Sequence, residues 1–204
     1  YLDELVPSVP EVLWKNSQPK DRYAVVEILS ALHARFGGAE FSCAMLKAIS
    51  QELVPLPPRN NAEPPNEQAQ KEEALKVTRQ RNLLRGATEL VLVGLGGPVT
   101  GNGCVCAAGW DWLYEQLRTL LGQDRDLAYL PLVQGMMRTF GSLLLIPMEE
   151  HEAGQSEAHL GGTAAAVSFD PVVPETQSQK FRKLFEMYYI ALVKLSLIHI
   201  SEPT

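Results

Sequence analysis

The chain has 204 residues, 46% of them hydrophobic, and a formal net charge of −6. That length and apolar content suffice for one sizeable domain with its own core. The acidic balance excludes a general coat for phosphate backbones, and no uninterrupted run of roughly 18 apolar residues is present to span a membrane.

The first residue is Tyr1 and no secretory leader is visible, so the chain reads as a fragment at its start. SVPEVLWKN opens with Ser8, places Pro10 in a first turn and sets Glu11 three residues after the serine. That is a capping-box pattern for a short helix. In KDRYAVVEILSALHARFGG, the residues Val25, Ile28, Leu29, Leu32 and Phe36 recur at helical spacing, and Gly37 and Gly38 provide a stop. A third helix, about residues 39–53, aligns Phe41, Met45, Ile49 and Leu53 at steps of four.

PLPPRNNAEPP, from Pro55, is too rich in proline for a helix or a central strand and reads as a linker. The next run begins with strong helix formers and no breaker. It continues with Leu83, Ala87, Leu90 and Gly94 at helical steps, flanked by Leu84 and Val91. WDWLYEQLRTLLG is again helical, with Trp110, Leu113, Leu117, Leu120 and Leu121 on one face and Gly122 as its cap. A further helix is expected over about 126–144, with Pro131 in its first turn and a stripe of Leu130, Val133, Met137, Phe140 and Leu144. Residues 148–174 are polar and glycine-bearing and read as a loop. The last helix, 177–194, has Phe181, Leu184, Phe185, Tyr188 and Leu192 on its apolar face. No strand pattern stands out.

The glycine-rich stretch ELVLVGLGGPVTGNG, Glu89 to Gly103, invites a nucleotide-binding reading. A dinucleotide fingerprint needs a third glycine, but Val99 stands there, and Cys106 ends a second copy begun by Gly101 and Gly103. No lysine lies between Lys76 and Lys180 to complete a phosphate loop. The helical stripe that enters at Leu83 keeps its period through Val91. Glu89–Val93 is therefore expected to be the last part of a helix that Gly94 terminates. An enzyme built on the Gly94–Gly103 loop is the weaker alternative.

Other candidate sites have plain readings. Three cysteines, Cys43, Cys104 and Cys106, do not suggest a disulfide framework, and a reducing, intracellular setting is the simpler expectation. Cys104 and Cys106 lack the second ligand pair a zinc site needs and are expected to be free thiols. His33 borders an apolar stripe with no Ser, Cys or acidic partner evident. His151 and His159 sit in the polar segment MEEHEAGQSEAH and read as solvated. Arg79, Arg81 and Arg85 form one basic cluster, and Lys180, Arg182 and Lys183 another. The interleaved acids Glu72, Glu73, Glu89 and Glu186 make solvated helix faces the expectation for both. Trp110 and Trp112 read as core and rim positions. No catalytic, cofactor-binding or metal-ligating residue is assigned, and partner-binding residues are not specified.

Four segments, AVVEILSALHARFGGAEFSCAML, RQRNLLRGATELVLVGL, DWLYEQLRTLLGQDRD and FRKLFEMYYIALVK, occur in an order that resembles a known family. The strongest pair is the helix ending in ATELVLVG followed by WLYEQL. The chain is similar to the up-frameshift-two family of nonsense-mediated mRNA decay scaffolds, in its first middle domain of the initiation-factor-four-gamma type. The resemblance implies an all-α fold, a HEAT-like helical-repeat solenoid of antiparallel helix pairs, with no catalytic residues and no cofactor. It implies a cytoplasmic protein-interaction scaffold of RNA surveillance. Its partners would be an RNA helicase and an exon-junction adaptor, bound chiefly through regions beyond this chain, with direct RNA binding weak or absent. Another scaffold of translation initiation or cap binding is the nearest alternative. The domain is expected over 1–194, with loops at 55–66, 94–109 and 147–174. GLGGPVTGNGCVCAAGWD departs from the family, either as a lineage-specific loop or as intron read in frame. Residues 195–204, LSLIHISEPT, resemble the translation of a transposase sequencing adapter and are given no role.

Overall fold

The computed structural model describes residues 1–57, 66–95, 109–124, 127–145 and 173–201. Among them every regular element is helical and no strand occurs. In chain order these are α1 (Leu2–Leu5), a 3-10 turn (Val6–Ser8), α2 (Val9–Lys15), α3 (Pro19–Gly37), a π turn (Gly38–Ser42) and α4 (Cys43–Glu52). They continue with α5 (Glu67–Leu92), α6 (Gly109–Gly122), α7 (Leu130–Leu144) and α8 (Glu175–Ser201). No helix of the described residues is long and apolar enough to cross a membrane.

The 26-residue α5 is the spine. It starts at Asn66, whose side-chain oxygen accepts from the Gln68 amide. Its first half is polar. Its second half buries Leu83, Leu84, Ala87, Leu90 and Val91, because apolar residues here fall on more than one side of the helix. It therefore meets neighbours all round: α2, α3 and α4 from the preceding chain, α6 and α7 from the following chain. Helix α8 closes against α6 and α7. The core runs continuously from Val9 and Leu13 through Phe41, Met45 and Ile49, across α5, to Leu113, Leu117, Phe140, Phe181 and Tyr188.

One close contact fixes how α2 crosses α5. A Cβ placed on Gly86 would lie 3.0 Å from Leu13 Cδ2. A mid-helix glycine costs about 1 kcal/mol relative to alanine; here it lets the fully buried Leu13 seat directly on the α5 backbone.

Several local expectations need correction. Ser8 makes no side-chain cap; its backbone is already helical, so the chain enters α2 from the 3-10 turn. The Ser8 hydroxyl donates back to the Leu5 carbonyl, and Glu11 pairs with Lys15 one turn on. The capping box is thus replaced by continuous helical entry. Helix α3 does end at Gly37, which has φ +81°, yet Gly38 opens the π turn instead of a loop. Of the α3 stripe, Val25 and Leu29 are buried, while Ile28 and Phe36 are exposed. The α4 stripe of Phe41, Met45, Ile49 and Leu53 is wholly buried, as the spacing predicts.

Gly122 ends α6 without the left-handed conformation of a glycine cap. Helix α7 starts at Leu130, not near 126, with Pro131 in its first turn. Its inward face carries Leu132, Val133, Met136, Phe140 and Leu144. Leu130 is exposed, and Met137 only packs at the margin. The late start follows from Asp124, whose carboxylate accepts from the amides of Ala128 and Tyr129 and holds a turn ahead of the helix. Helix α8 extends beyond the expected 177–194 at both ends, and it includes 195–201 of the segment given no role. Of the loops expected at 94–109 and 147–174, residues 96–108 and 147–172 lie outside the described residues.

Candidate functional site

The glycine turn decides between a phosphate loop and a helix end. Helix α5 runs without interruption to Leu92. Gly94 then adopts φ +87°. Its amide donates to the Val91 carbonyl at 3.0 Å, and the Leu95 amide donates to the Leu90 carbonyl at 2.9 Å. This pair of bonds, with a left-handed glycine between them, is a Schellman motif. The side chain after the glycine, Leu95, is buried in the core, completing the apolar contact such a motif makes. The terminating role expected for Gly94 is thereby met. A phosphate loop would instead need a strand to enter it, and a helix enters here.

The cysteine reading changes. Cys43, at the start of α4, is disulfide-bonded, where the cysteine count suggested no disulfide framework and a reducing setting. Cys104 and Cys106 lie outside the described residues, as do His151 and His159. Among the described residues no cluster of three or more potential metal ligands occurs.

His33 was expected to have no serine partner, but its Nδ1 shares a 2.6 Å hydrogen bond with Ser42 Oγ. Nine residues apart in sequence, the two meet because the turn at Gly37 folds the π segment back on the end of α3. Ser42 is 2% exposed. The half-buried bond fastens this bend.

The basic residues of α5 are engaged in structure more than expected. Arg85 Nε lies 3.5 Å from Glu89 Oε1. The same carboxylate accepts from Arg22 Nη1 at 3.3 Å, while Arg22 Nη2 donates to the Ser17 carbonyl at 2.7 Å. Arg22 is only 3% exposed. Glu89 is therefore not the solvated acid its sequence context suggested; it neutralises a guanidinium that burial would otherwise strongly penalise. Arg22 escaped the sequence reading because its partner lies 67 positions away. Arg79 stacks its guanidinium 4.9 Å from the Trp14 ring centre. Arg81 lays its methylenes beside Gly135 of α7. On α8, Lys180 donates to Asp111 at 2.6 Å and Arg182 is also engaged, while Lys183 is exposed.

Trp110 and Trp112 are both half-buried, so Trp110, expected in the core, packs at its margin instead. Trp110 sets its ring edge-on to Phe181, and Trp112 Nε1 donates to Ser50 Oγ at 2.9 Å.

Two openings lie on the described surface. A groove of about 250 Å³ lies between the α1–α2 segment and α3, lined by Leu5, Val9, Val12, Val25, Ile28 and Leu29. A second cavity of about 300 Å³ lies between α5 and the start of α7, with Arg81, Thr78 and Val77 in its wall. Neither gathers an acid, a base and a nucleophile of the kind that carries catalysis.

No family model, no curated protein and no solved structure matches the chain.

Proposed function

We propose that the chain is a non-catalytic protein-interaction scaffold in cytoplasmic nonsense-mediated mRNA decay. In this reading its helices pair as a HEAT-like repeat and act by presentation, holding side chains rigidly for protein partners. The observation that carries the reading is the fate of its strongest resembling pair. RQRNLLRGATELVLVGL forms the second half of α5 and its closing turn, and WLYEQL forms the body of α6, packed on α5. The other two resembling segments lie on α3 through α4 and on α8. The polar side chains within the fold serve mainly to join helices, which supports a binding role over a catalytic one.

In this reading an RNA helicase and an exon-junction adaptor join the same full-length protein through regions beyond this chain. Direct RNA binding is weak, since the chain is acidic overall and several of its cations are held in ion pairs or against rings. The test is affinity purification of the full-length protein from cytoplasmic extract treated with ribonuclease. Recovery of the decay helicase without the initiation helicase is the expected result. Recovery of the initiation helicase alone would transfer the chain to a scaffold of translation initiation, and ATP or dinucleotide binding by the purified chain would favour an enzyme.

A further inference from the structure

Ser17 stands exposed in the turn between α2 and α3, just ahead of Pro19, the first residue of α3. Its amide donates to the Lys15 carbonyl at 3.0 Å, and its own carbonyl accepts from Arg22 Nη2 at 2.7 Å. Pro19 has no N–H, so the first-turn donors of α3 without an intrahelical acceptor are the amides of Lys20 and Asp21. A helix start of this kind favours an anion but does not by itself name one.

Arg22 names it. Its side chain is 3% exposed, yet its buried Nε has no hydrogen-bond partner, while Nη1 donates to Glu89 and Nη2 to the Ser17 carbonyl. Nε–H and one N–H of Nη2 leave a guanidinium along the same edge, as a fork that fits two oxygens of one oxyanion. The Nη2 prong already lies on Ser17, so the idle Nε prong points to the same side. A buried charged donor left without an acceptor is costly. The charge is incomplete as well. Glu89 serves both Arg22 and Arg85, one carboxylate for two guanidiniums. Of the other charges at the turn, the neighbours Lys20 and Asp21 offset each other and Lys15 is paired with Glu11.

We propose that Ser17 is a phosphorylation site whose phosphate closes the Arg22 fork at the start of α3. The Ser17 hydroxyl oxygen attacks the γ-phosphorus of ATP held by a protein kinase. The new O–P bond forms as the bond to ADP breaks, and the hydroxyl proton passes to the kinase's base. Phosphate oxygens then accept from Nε and Nη2 while Nη1 stays on Glu89, so the modified turn is tied through one guanidinium to α5. The proposal does not depend on the decay assignment; recovery or loss of the decay helicase leaves it unchanged.

The test is the full chain carrying genetically encoded phosphoserine at position 17, compared with the unmodified chain. In phosphorus NMR the phosphate should titrate below the value of about 6 usual for phosphoserine, which the same chain should show when unfolded in urea. The thermal midpoint at neutral pH should rise by about 2–4 °C. Arg22→Lys keeps the charge but removes the fork, and it should abolish most of both effects. Lys20→Gln, at an exposed position that leaves folding intact, should keep most of them; losing them there would assign the effect to surface charge and overturn the proposal. A titration equal to that of the unfolded chain, or a lowered thermal midpoint, would overturn it too. Mass spectrometry of the protein purified with phosphatase inhibitors from the cells that express it should find phosphate on Ser17, and an unmodified Ser17 there would remove the site.

Discussion

The helices that precede α5 and those that follow it are held in place in different ways. On the preceding side, Leu13 of α2 sits on the bare backbone of Gly86, and Arg22 of α3 buries its charge against Glu89. On the following side, the joints are aromatic packing and hydrogen bonds that tie α8 to α6 and α7. Phe181 takes Trp110 and Tyr114 edge-on. Asp111 accepts from Gln177 and Lys180, Ser178 donates to the Leu144 carbonyl, and Tyr188 donates to Asp124. The preceding side thus carries a close backbone crossing and a buried ion pair on α5 itself, and the following side ring and hydrogen-bond contacts among its own helices.

Substitutions can break that contrast. The largest effect belongs to Phe181→Ala, which empties a fully buried aromatic site shared by α6 and α8. It should cost about 3–5 kcal/mol in urea unfolding. A cost near zero would mean that α8 does not dock where the aromatic cluster places it. Next comes Glu89→Ala, which strands the buried Arg22 guanidinium. A loss on the order of 3 kcal/mol is expected, and Arg22→Met combined with Glu89→Leu should recover most of it. If the double variant is no better than the single one, the pair does more than neutralise a charge.

Gly86→Val tests the close crossing. Its Cβ would meet Leu13 Cδ2 at 3.0 Å, so the Leu13 side chain or α2 must give way, at a cost of about 1–3 kcal/mol. The paired Leu13→Ala variant should convert that clash into a filled space, so the double variant should lose less than the sum of the singles.

The smallest effect is electrostatic and belongs to the following side. Hydrogen bonds from Lys180, then from Gln177, hold the Asp111 carboxyl below its ordinary value. A depressed carboxyl contributes stability that is in place above about pH 4 and is lost as pH falls through the folded value. Both partners are well exposed, so the contribution stays below about 1 kcal/mol. Thermal midpoints of Asp111→Asn should therefore change less than the parent's at the acid end. At the alkaline end, burial and then Asp124 push the Tyr188 hydroxyl up. The folded state holds that proton more tightly, so stability declines once pH passes about 10, the unfolded value. Tyr188→Phe should remove that part of the decline.

Much of this architecture is legible in the residues. The α4 stripe and the α5 stripe through Val91 lie where a helical period places them, because burial selects apolar side chains at that spacing. Gly94 is legible as a stop because only glycine takes the left-handed turn cheaply. Helix joints are far less legible. Arg22 and Glu89, Tyr129 and Leu56, and Tyr188 and Asp124 are each more than 60 residues apart in sequence, and no local pattern pairs them. The exposure of Ile28 is hidden for the same reason. A stripe records which residues could be covered, and only the placement of other helices determines which ones are. The His33–Ser42 bond was missed because the π turn that brings them together has no simple periodic signature.

The most direct test of the central claim is amide hydrogen exchange on the full chain, resolved by residue along α5. The account predicts that the amides of Leu83 to Val91 are among the slowest in the molecule, exchanging only on global unfolding, with helical carbon chemical shifts and a break at Gly94. Rapid exchange across that segment, or shifts and cross-strand contacts of an extended chain, would contradict it.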